Sequence, residues 1–300
     1  MSLEKLFKDR KLVISCELFP PKTAKGERNL YDNCQKLVEL GSDFITCTYG
    51  AGGSTRAKTL EIIDQVKQRF GIPVASHLTL VGSTEVDLRE YLERATRMGV
   101  DYIVALRGDP PQGETGFRQT PGGYAHANQL VELIHAEFGH LGVLVAGYPE
   151  KHREAPSMEV DIENLKRKVD AGADAVITQL FYNNDDFYRF RDQCVAAGIS
   201  VPIVPGILPV ISLSQIQRIA DLCGATLPPD FLDRLSEKPD DKHWQHEVGV
   251  QKAIEQTEDL VNHGVVGLHF YVLNRADAAV RIMQATRIGA CGDDSPASEC

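Results

Sequence analysis

Near its start the chain alternates Val13, Ser15 and Glu17 with Ile14, Cys16 and Leu18 before Phe19-Pro20-Pro21 interrupts the run. The alternation is that of a strand, and it places Glu17 with Ser15 on one face at the strand's carboxyl end. A carboxylate in that place is either held in a structural ion pair or is a tuned acid. Burial disfavours the charged form, so the second reading expects a raised pKa and a proton retained near neutral pH, as general-acid chemistry requires.

Polar residues interrupt later apolar runs in the same way. Thr46 and Thr48 in FITCTY, His77 and Thr79 in VASHLTL, and Gln179 in AVITQL each alternate with aliphatic neighbours. One such residue alone reads as a hydrogen-bonded polar group in a barrel lumen, whereas recurrence at equivalent strand ends marks a shared site. Arg107-Gly108-Asp109-Pro110-Pro111 puts a guanidinium, a glycine and a carboxylate on one turn, which an ordinary Asp-Pro turn with a surface ion pair also explains. Tyr148-Pro149-Glu150 with His152 follows the fifth run, and the next helix carries Asp161, Asn164, Arg167 and Lys168. The last three stand at i, i+3 and i+4 on one face, either solvated or suited to a ribose and a pyrophosphate.

The elements that position these residues come from a recurring junction. An amphipathic stretch ends in Gly and is followed within a few residues by an apolar run at Gly41, Gly71, Gly99, Gly139, Gly172, Gly198 and Gly264. Glycine there suits the left-handed residue just past a helix, and the runs that follow are rich in Val, Ile and Thr. Leu30, Cys34, Leu37 and Val38 recur at helical spacing, as do Leu88, Tyr91, Leu92 and Ala95. Seven junctions and the opening KLVISCELF give eight strands alternating with helices, the pattern of a single-domain (β/α)8 TIM barrel over residues 1–288. The interval from Gly198 to Gly264 is the longest and holds LPPDFLDRLSEKPDDKHW, read as extra helical material between strands seven and eight. A doubly wound open sheet is the alternative, although no G-x-G-x-x-G follows the first strand. The tail GACGDDSPASEC, residues 289–300, is small and polar and is expected to be disordered.

The whole chain has 300 residues and a formal net charge of −10, with no run of Lys or Arg that could track phosphates, which argues against nucleic-acid or anionic-membrane partners. An anionic ligand must then meet locally placed cations. No stretch approaches a membrane span, and Met1-Ser2-Leu3-Glu4-Lys5 has no signal-peptide core, so a cytoplasmic location is expected. Seven cysteines without a C-x-x-C pair suit free thiols better than disulfides or a metal.

Several segments are more specific. Cys16-Glu17-Leu18-Phe19-Pro20-Pro21-Lys22-Thr23, Thr48-Tyr49-Gly50-Ala51, His77-Leu78-Thr79, Ala105-Leu106-Arg107-Gly108-Asp109, Tyr148-Pro149-Glu150, the stretch from Asn164 to Gly172, Ile177-Thr178-Gln179, Pro205-Gly206-Ile207-Leu208-Pro209 and Leu273-Asn274-Arg275-Ala276 occur in this order. Together they resemble the bacterial, FAD-dependent methylenetetrahydrofolate reductase family over residues 12–287, matching its catalytic domain without the long C-terminal regulatory region of eukaryotic members.

The resemblance implies a flavoprotein oxidoreductase of one-carbon metabolism. It would reduce 5,10-methylenetetrahydrofolate to 5-methyltetrahydrofolate for methionine synthesis, with NADH or NADPH as donor and a ping-pong order. It implies Glu17 as the general acid that opens the folate ring to an iminium, Asp109 as the carboxylate that holds the pterin and tunes the flavin, and Gln179 as a substrate contact. Gln215 and Arg275 correspond to further folate-binding positions. The FAD positions it implies are Thr48, His77, Arg107, Gly108, Asp109, Tyr124, Ala125, Tyr148, His152, Ala155, Asp161, Asn164, Arg167 and Lys168. Where many bacterial members carry a Phe in the QIQRIAD helix, this chain has Ile219. A homo-oligomer is expected by the same resemblance. Two other functions stay open: a barrel fed by an electron-donor subunit, and a lyase or aldolase, which as a Schiff-base enzyme would want a Lys on a late strand.

Overall fold

The computed structural model describes residues 1–49, 56–109 and 116–289. Pro110, Pro111, Gly50, Ala51 and the tail beyond Gly289 lie outside the described residues. The chain opens with α1 (Leu3–Asp9), and β1 (Val13–Leu18), α2 (Ala24–Glu39), β2 (Phe44–Cys47), α3 (Arg56–Phe70), β3 (Val74–Thr79), α4 (Glu85–Arg97) and β4 (Tyr102–Leu106) follow. The second half runs α5 (Ala127–Glu137), β5 (Gly142–Gly147), α6 (Met158–Asp170), β6 (Ala175–Leu180), α7 (Asn184–Ala196), β7 (Ile203–Ile207), α8 (Leu213–Cys223), α9 (Pro229–Ser236), α10 (Lys242–Asn262), β8 (Gly267–Tyr271) and α11 (Asp277–Ala285). The strands pair in sequence order, all parallel, and β8 closes on β1. The expected eight-stranded barrel is observed, and α9 and α10 supply the extra helical material before β8.

Six of the seven junction glycines, at 41, 71, 99, 172, 198 and 264, have positive φ and stop their helices as expected. Gly139 does not. There α5 ends as Phe138 donates to Ile134 O, and Leu141 N donates to Phe138 O at 2.8 Å, so a four-residue turn replaces the left-handed glycine. Three junctions carry a further signal, Gly-x-Asp. Asp43 accepts from Ile14 N at 2.8 Å, Asp101 from Val74 N at 2.9 Å and Asp174 from Val143 N at 2.6 Å. Each aspartate thus ties the start of its own strand to the first amides of the strand before it, groups that would otherwise lack a partner at the barrel's amino end.

The lumen is divided into two zones. Its lower part is apolar: Val13, Phe44, Tyr102, Val104, Leu144, Ile177 and Val204 pack together, with Leu3 and Leu6 of α1 inserted from below. Helix α1 thereby plugs the amino end, and Tyr102 OH donates to Met1 O at 3.0 Å. The larger shell between strands and helices is a second apolar layer that includes Ile14, Leu37, Ile103, Val143, Phe187 and Phe270. With both faces of every strand buried below, the strands are stiffest where they must hold alternate polar side chains above. No helix among the described residues is long and apolar enough to cross a membrane.

The plug yields a direct test of the floor. Leu6→Ala is expected to lower unfolding stability by about 2–5 kcal/mol, the cost of a cavity in a closed apolar layer, whereas Val86→Ala on exposed α4 should stay within about 0.5 kcal/mol. Urea denaturation followed by circular dichroism reads both; equal effects would show that α1 does not seal the barrel.

Candidate active site

Above the apolar floor the lumen turns polar. Register sets Ser15 beside His269 and Glu17 beside Tyr271 across the β1–β8 seam, and Glu17 beside Thr46 across β1–β2. His77 enters from β3. Its Nε2 lies 3.2 Å from Glu17 Oε2, and His269 Nε2 lies 3.6 Å from the same oxygen. Ser15 Oγ sits 2.8 Å from His269 Nδ1. Tyr271 OH donates to Thr178 O at 2.8 Å and its ring stands edge-on to His269 at 4.9 Å.

The expected rise in the Glu17 pKa is not found. Burial does push the carboxyl up, but the charge of His77 and then the two imidazoles acting together outweigh it and bring the group down to about 2. In the unliganded protein Glu17 is therefore a carboxylate. The sequence foretold burial but gave no sign that two histidines from different strands would converge on one oxygen. His269 and Tyr271 were missed in the sequence, although GLHFY alternates polar and apolar residues as β1 does.

The turn after β4 extends the site. Gly108 has φ +89°, and a Cβ there would lie 2.8 Å from Thr79 Cβ, so only glycine lets Arg107 and Asp109 pass this close to β3. Leu80 N donates to Arg107 O at 3.0 Å, which holds the turn. The Arg107 guanidinium pairs with Glu154 at 2.7 Å and lies over the Phe117 ring at 5.1 Å. Asp109 is exposed, and its charge adds to burial in pushing the half-buried Tyr148 and Cys223 upward.

The β5 loop forms the next wall. Tyr148 packs edge-on against His152 with ring centres 4.7 Å apart, and His152 N donates to Asp161 at 2.8 Å. Burial and the neighbouring Arg107 lower the His152 pKa. Ala155 is buried beside this turn. On α6 the shared face splits: Arg167 donates to Asn164 at 3.2 Å on the exposed side, while Lys168 turns in and donates to Ala146 O on β5. Burial pulls the Lys168 ammonium down to about 8, with Asp161 opposing. Arg167 opens instead into the groove between α5 and α6, beside His135 and Asp170.

Other expected residues fall around the rim. Thr48 lies one residue past β2, where its amide donates to Leu18 O at 3.1 Å. Gln179 is the penultimate residue of β6, with Oε1 accepting from Leu180 N at 2.9 Å. Gln215 and Ile219 on α8 line a cleft with Pro209 and Leu273, and Arg275 lines the adjoining one with Tyr271. Tyr124 and Ala125 precede α5, where Ala125 N donates to Gln129 at 2.9 Å. The structure brings His77, His269 and Ser15 together around Glu17, joins Tyr148, His152 and Asp161 on the β5 loop, and leaves Arg167 in the groove between α5 and α6.

Comparison with known proteins identifies the family. The family model for methylenetetrahydrofolate reductase matches residues 2–287. The 5,10-methylenetetrahydrofolate reductase of Escherichia coli is 40% identical over 269 residues, covering 90% of this chain and 88% of its own. Methylenetetrahydrofolate reductase (NADH) 1 of Arabidopsis thaliana is 37% identical over 279 residues, and there the match spans 47% of the relative's length. Among solved structures, a Clostridium thermocellum protein described as binding two copies of 5-methyl-5,6,7,8-tetrahydrofolic acid superposes with a TM-score of 0.63 at 14% identity, over 96% of this chain and 99% of that one, a likeness of fold. On the strength of the near full-length match, the chain belongs to the methylenetetrahydrofolate reductase family of oxidoreductases.

Proposed function

We propose that this chain reduces 5,10-methylenetetrahydrofolate to 5-methyltetrahydrofolate using FAD and a nicotinamide nucleotide, and that its substrates use one mouth in turn, in ping-pong order. The observation that carries the reading is the placement of Glu17 at the carboxyl end of the barrel among His77, His269 and Ser15. A half-buried carboxylate met by two imidazoles suits a ligand that must be protonated at one atom.

The cations Arg107 and Lys168 fit FAD by the chemistry of their donors. Among the described residues Arg107 pairs with the exposed Glu154, a contact that a pyrophosphate can replace, and the half-buried Lys168 ammonium donates to the Ala146 carbonyl. Thr48, His77, Arg107, Gly108, Asp109, Tyr124, Ala125, Tyr148, His152, Ala155, Asp161, Asn164, Arg167 and Lys168 would hold the cofactor. When bound, FAD supplies the hydride that a nicotinamide has given up. NADH is the donor in the printed name of the Arabidopsis relative, which makes it the first donor to try.

The remaining work falls to this chain's own side chains. Glu17, once protonated, gives its proton to the bridging folate nitrogen, and opening of the five-membered ring leaves an iminium to accept hydride. Asp109 lies where it can stabilise that cation. Gln179, Gln215 and Arg275 line the way in and would hold the pterin and its tail. A Schiff-base aldolase is disfavoured because neither β6, AVITQL, nor β7, IVPGI, contains a lysine.

Absorbance of the purified protein, with anaerobic addition of NADH or NADPH and then methylenetetrahydrofolate, tests the whole reading. A flavin band that bleaches with nucleotide and returns with folate is expected. A band that no nucleotide bleaches would point to a donor subunit, and failure to bind added FAD would overturn the cofactor assignment. Glu17→Gln should retain reduction by the nucleotide while losing folate turnover by at least about 100-fold, the usual scale of a lost acid; native turnover in this variant would remove Glu17 from the chemistry. Asp109→Asn should weaken folate binding and slow reoxidation, and unchanged folate kinetics would return Asp109 to a simple turn residue.

A further inference from the structure

We propose that His269 is a positioning residue for Glu17, with Ser15 setting the imidazole tautomer so that the Nε2 proton faces the carboxylate. The proposal rests on the reading of Glu17 as the acid of the folate step. His269 is 1% exposed, and among the described residues its buried Nε2 has no hydrogen-bond partner. Glu17 Oε2 lies 3.6 Å from that nitrogen, a few tenths of an ångström beyond hydrogen-bond range. A buried ring nitrogen aimed at a carboxylate and left just short of it is poised for a small movement of the acid.

Ser15 decides which nitrogen bears the proton. Its hydroxyl has one hydrogen and two neighbours, His269 Nδ1 at 2.8 Å and Leu268 O at 3.4 Å. With Oγ donating to Leu268 O, Nδ1–H would donate to Oγ and a bare Nε2 would face the Glu17 carboxylate. With Oγ donating to Nδ1, the ring's own proton sits on Nε2 and faces it instead, which is the favourable arrangement beside a negative charge. Tyr271 stacks edge-on to the ring and is itself anchored on Thr178 O, which fixes the ring plane.

The groups facing Glu17 are few. From β3 comes His77, from β8 His269 and Tyr271, and from β2 Thr46 and the Cys47 thiol, which burial keeps neutral by pushing it well up. Both histidines approach the same oxygen, Oε2, at 3.2 and 3.6 Å. When the Glu17 O–H bond breaks and an N–H bond forms on the folate, the carboxylate left behind is received by the Nε2 proton of His269, and no second proton is transferred. His269 touches neither substrate nor cofactor in this scheme.

The test uses the full chain labelled with 15N-histidine and 13C-carboxyl glutamate, with the His269 and Glu17 signals assigned by their loss in His269→Phe and Glu17→Gln. Long-range 15N–1H correlation is expected to show His269 in the Nε2–H tautomer, shifting toward Nδ1–H in Ser15→Ala. The Glu17 carboxyl is expected to titrate about one pH unit higher in His269→Phe, as a carboxylate does on losing a donor. The pH at which the folate-reducing half-reaction falls off should move up by the same amount, because a general acid is lost as pH rises through its pKa. An Nδ1–H tautomer in the native chain, or a Glu17 midpoint that His269→Phe leaves in place, would overturn the proposal. Should His269→Phe fail to fold, the tautomer in the native chain and in Ser15→Ala decides alone. Retained folate turnover in Glu17→Gln would sink the acid reading, and the tautomer and titration would still judge the contact separately.

Discussion

The closure of β8 on β1 is the constraint on which the site depends. It brings Ser15 level with His269 and Glu17 level with Tyr271, residues more than 250 positions apart in the chain. A carboxylate taken out of water costs several kcal/mol unless charges and donors receive it, and in this barrel both donors come from strands other than its own. Slipping the β1–β8 register by one residue would turn Glu17 into the apolar shell occupied by Cys16 and Leu18. The apolar floor, the α1 plug and the Gly-x-Asp ties at the amino end all serve to prevent that slip.

Charge is distributed to match. The chain as a whole is acidic, yet Arg107 on the turn after β4 and Lys168 against β5 are cations placed locally, while Arg167 lies in the groove between α5 and α6. Arg107 is held by an exposed partner and can exchange it. Lys168 is half-buried, and its lowered pKa, near 8, reflects the cost of desolvating an ammonium, with Asp161 opposing. A bound polyanion would reverse that cost and hold the lysine charged.

Much of the fold was legible because it repeats. Glycine at helix ends and alternating strands are local signals, and they gave the eight strands and the long β7–β8 interval. Gly139 departed because a turn can end a helix without a left-handed residue. Helix α1 was passed over because its two core residues, Leu3 and Leu6, make too short a pattern to stand out. The site was legible where a polar residue broke an apolar run, as at Glu17, His77 and Gln179. It was not legible where function arises from convergence, since nothing local to GLHFY says that its histidine faces a carboxylate from the other end of the chain.

Convergence also changes what the acid must do. Two imidazoles beside Glu17 lower its pKa, so they oppose the proton donation proposed for it at neutral pH. If Glu17 is the acid, a ligand over the site would have to weaken the pull of His77 or exclude water, since desolvation raises a carboxyl. His269, sealed beneath and tied to Ser15, cannot be drawn away. The two histidines are therefore unequal: the one toward the mouth makes the acid responsive to what is bound, and the one below keeps it in place.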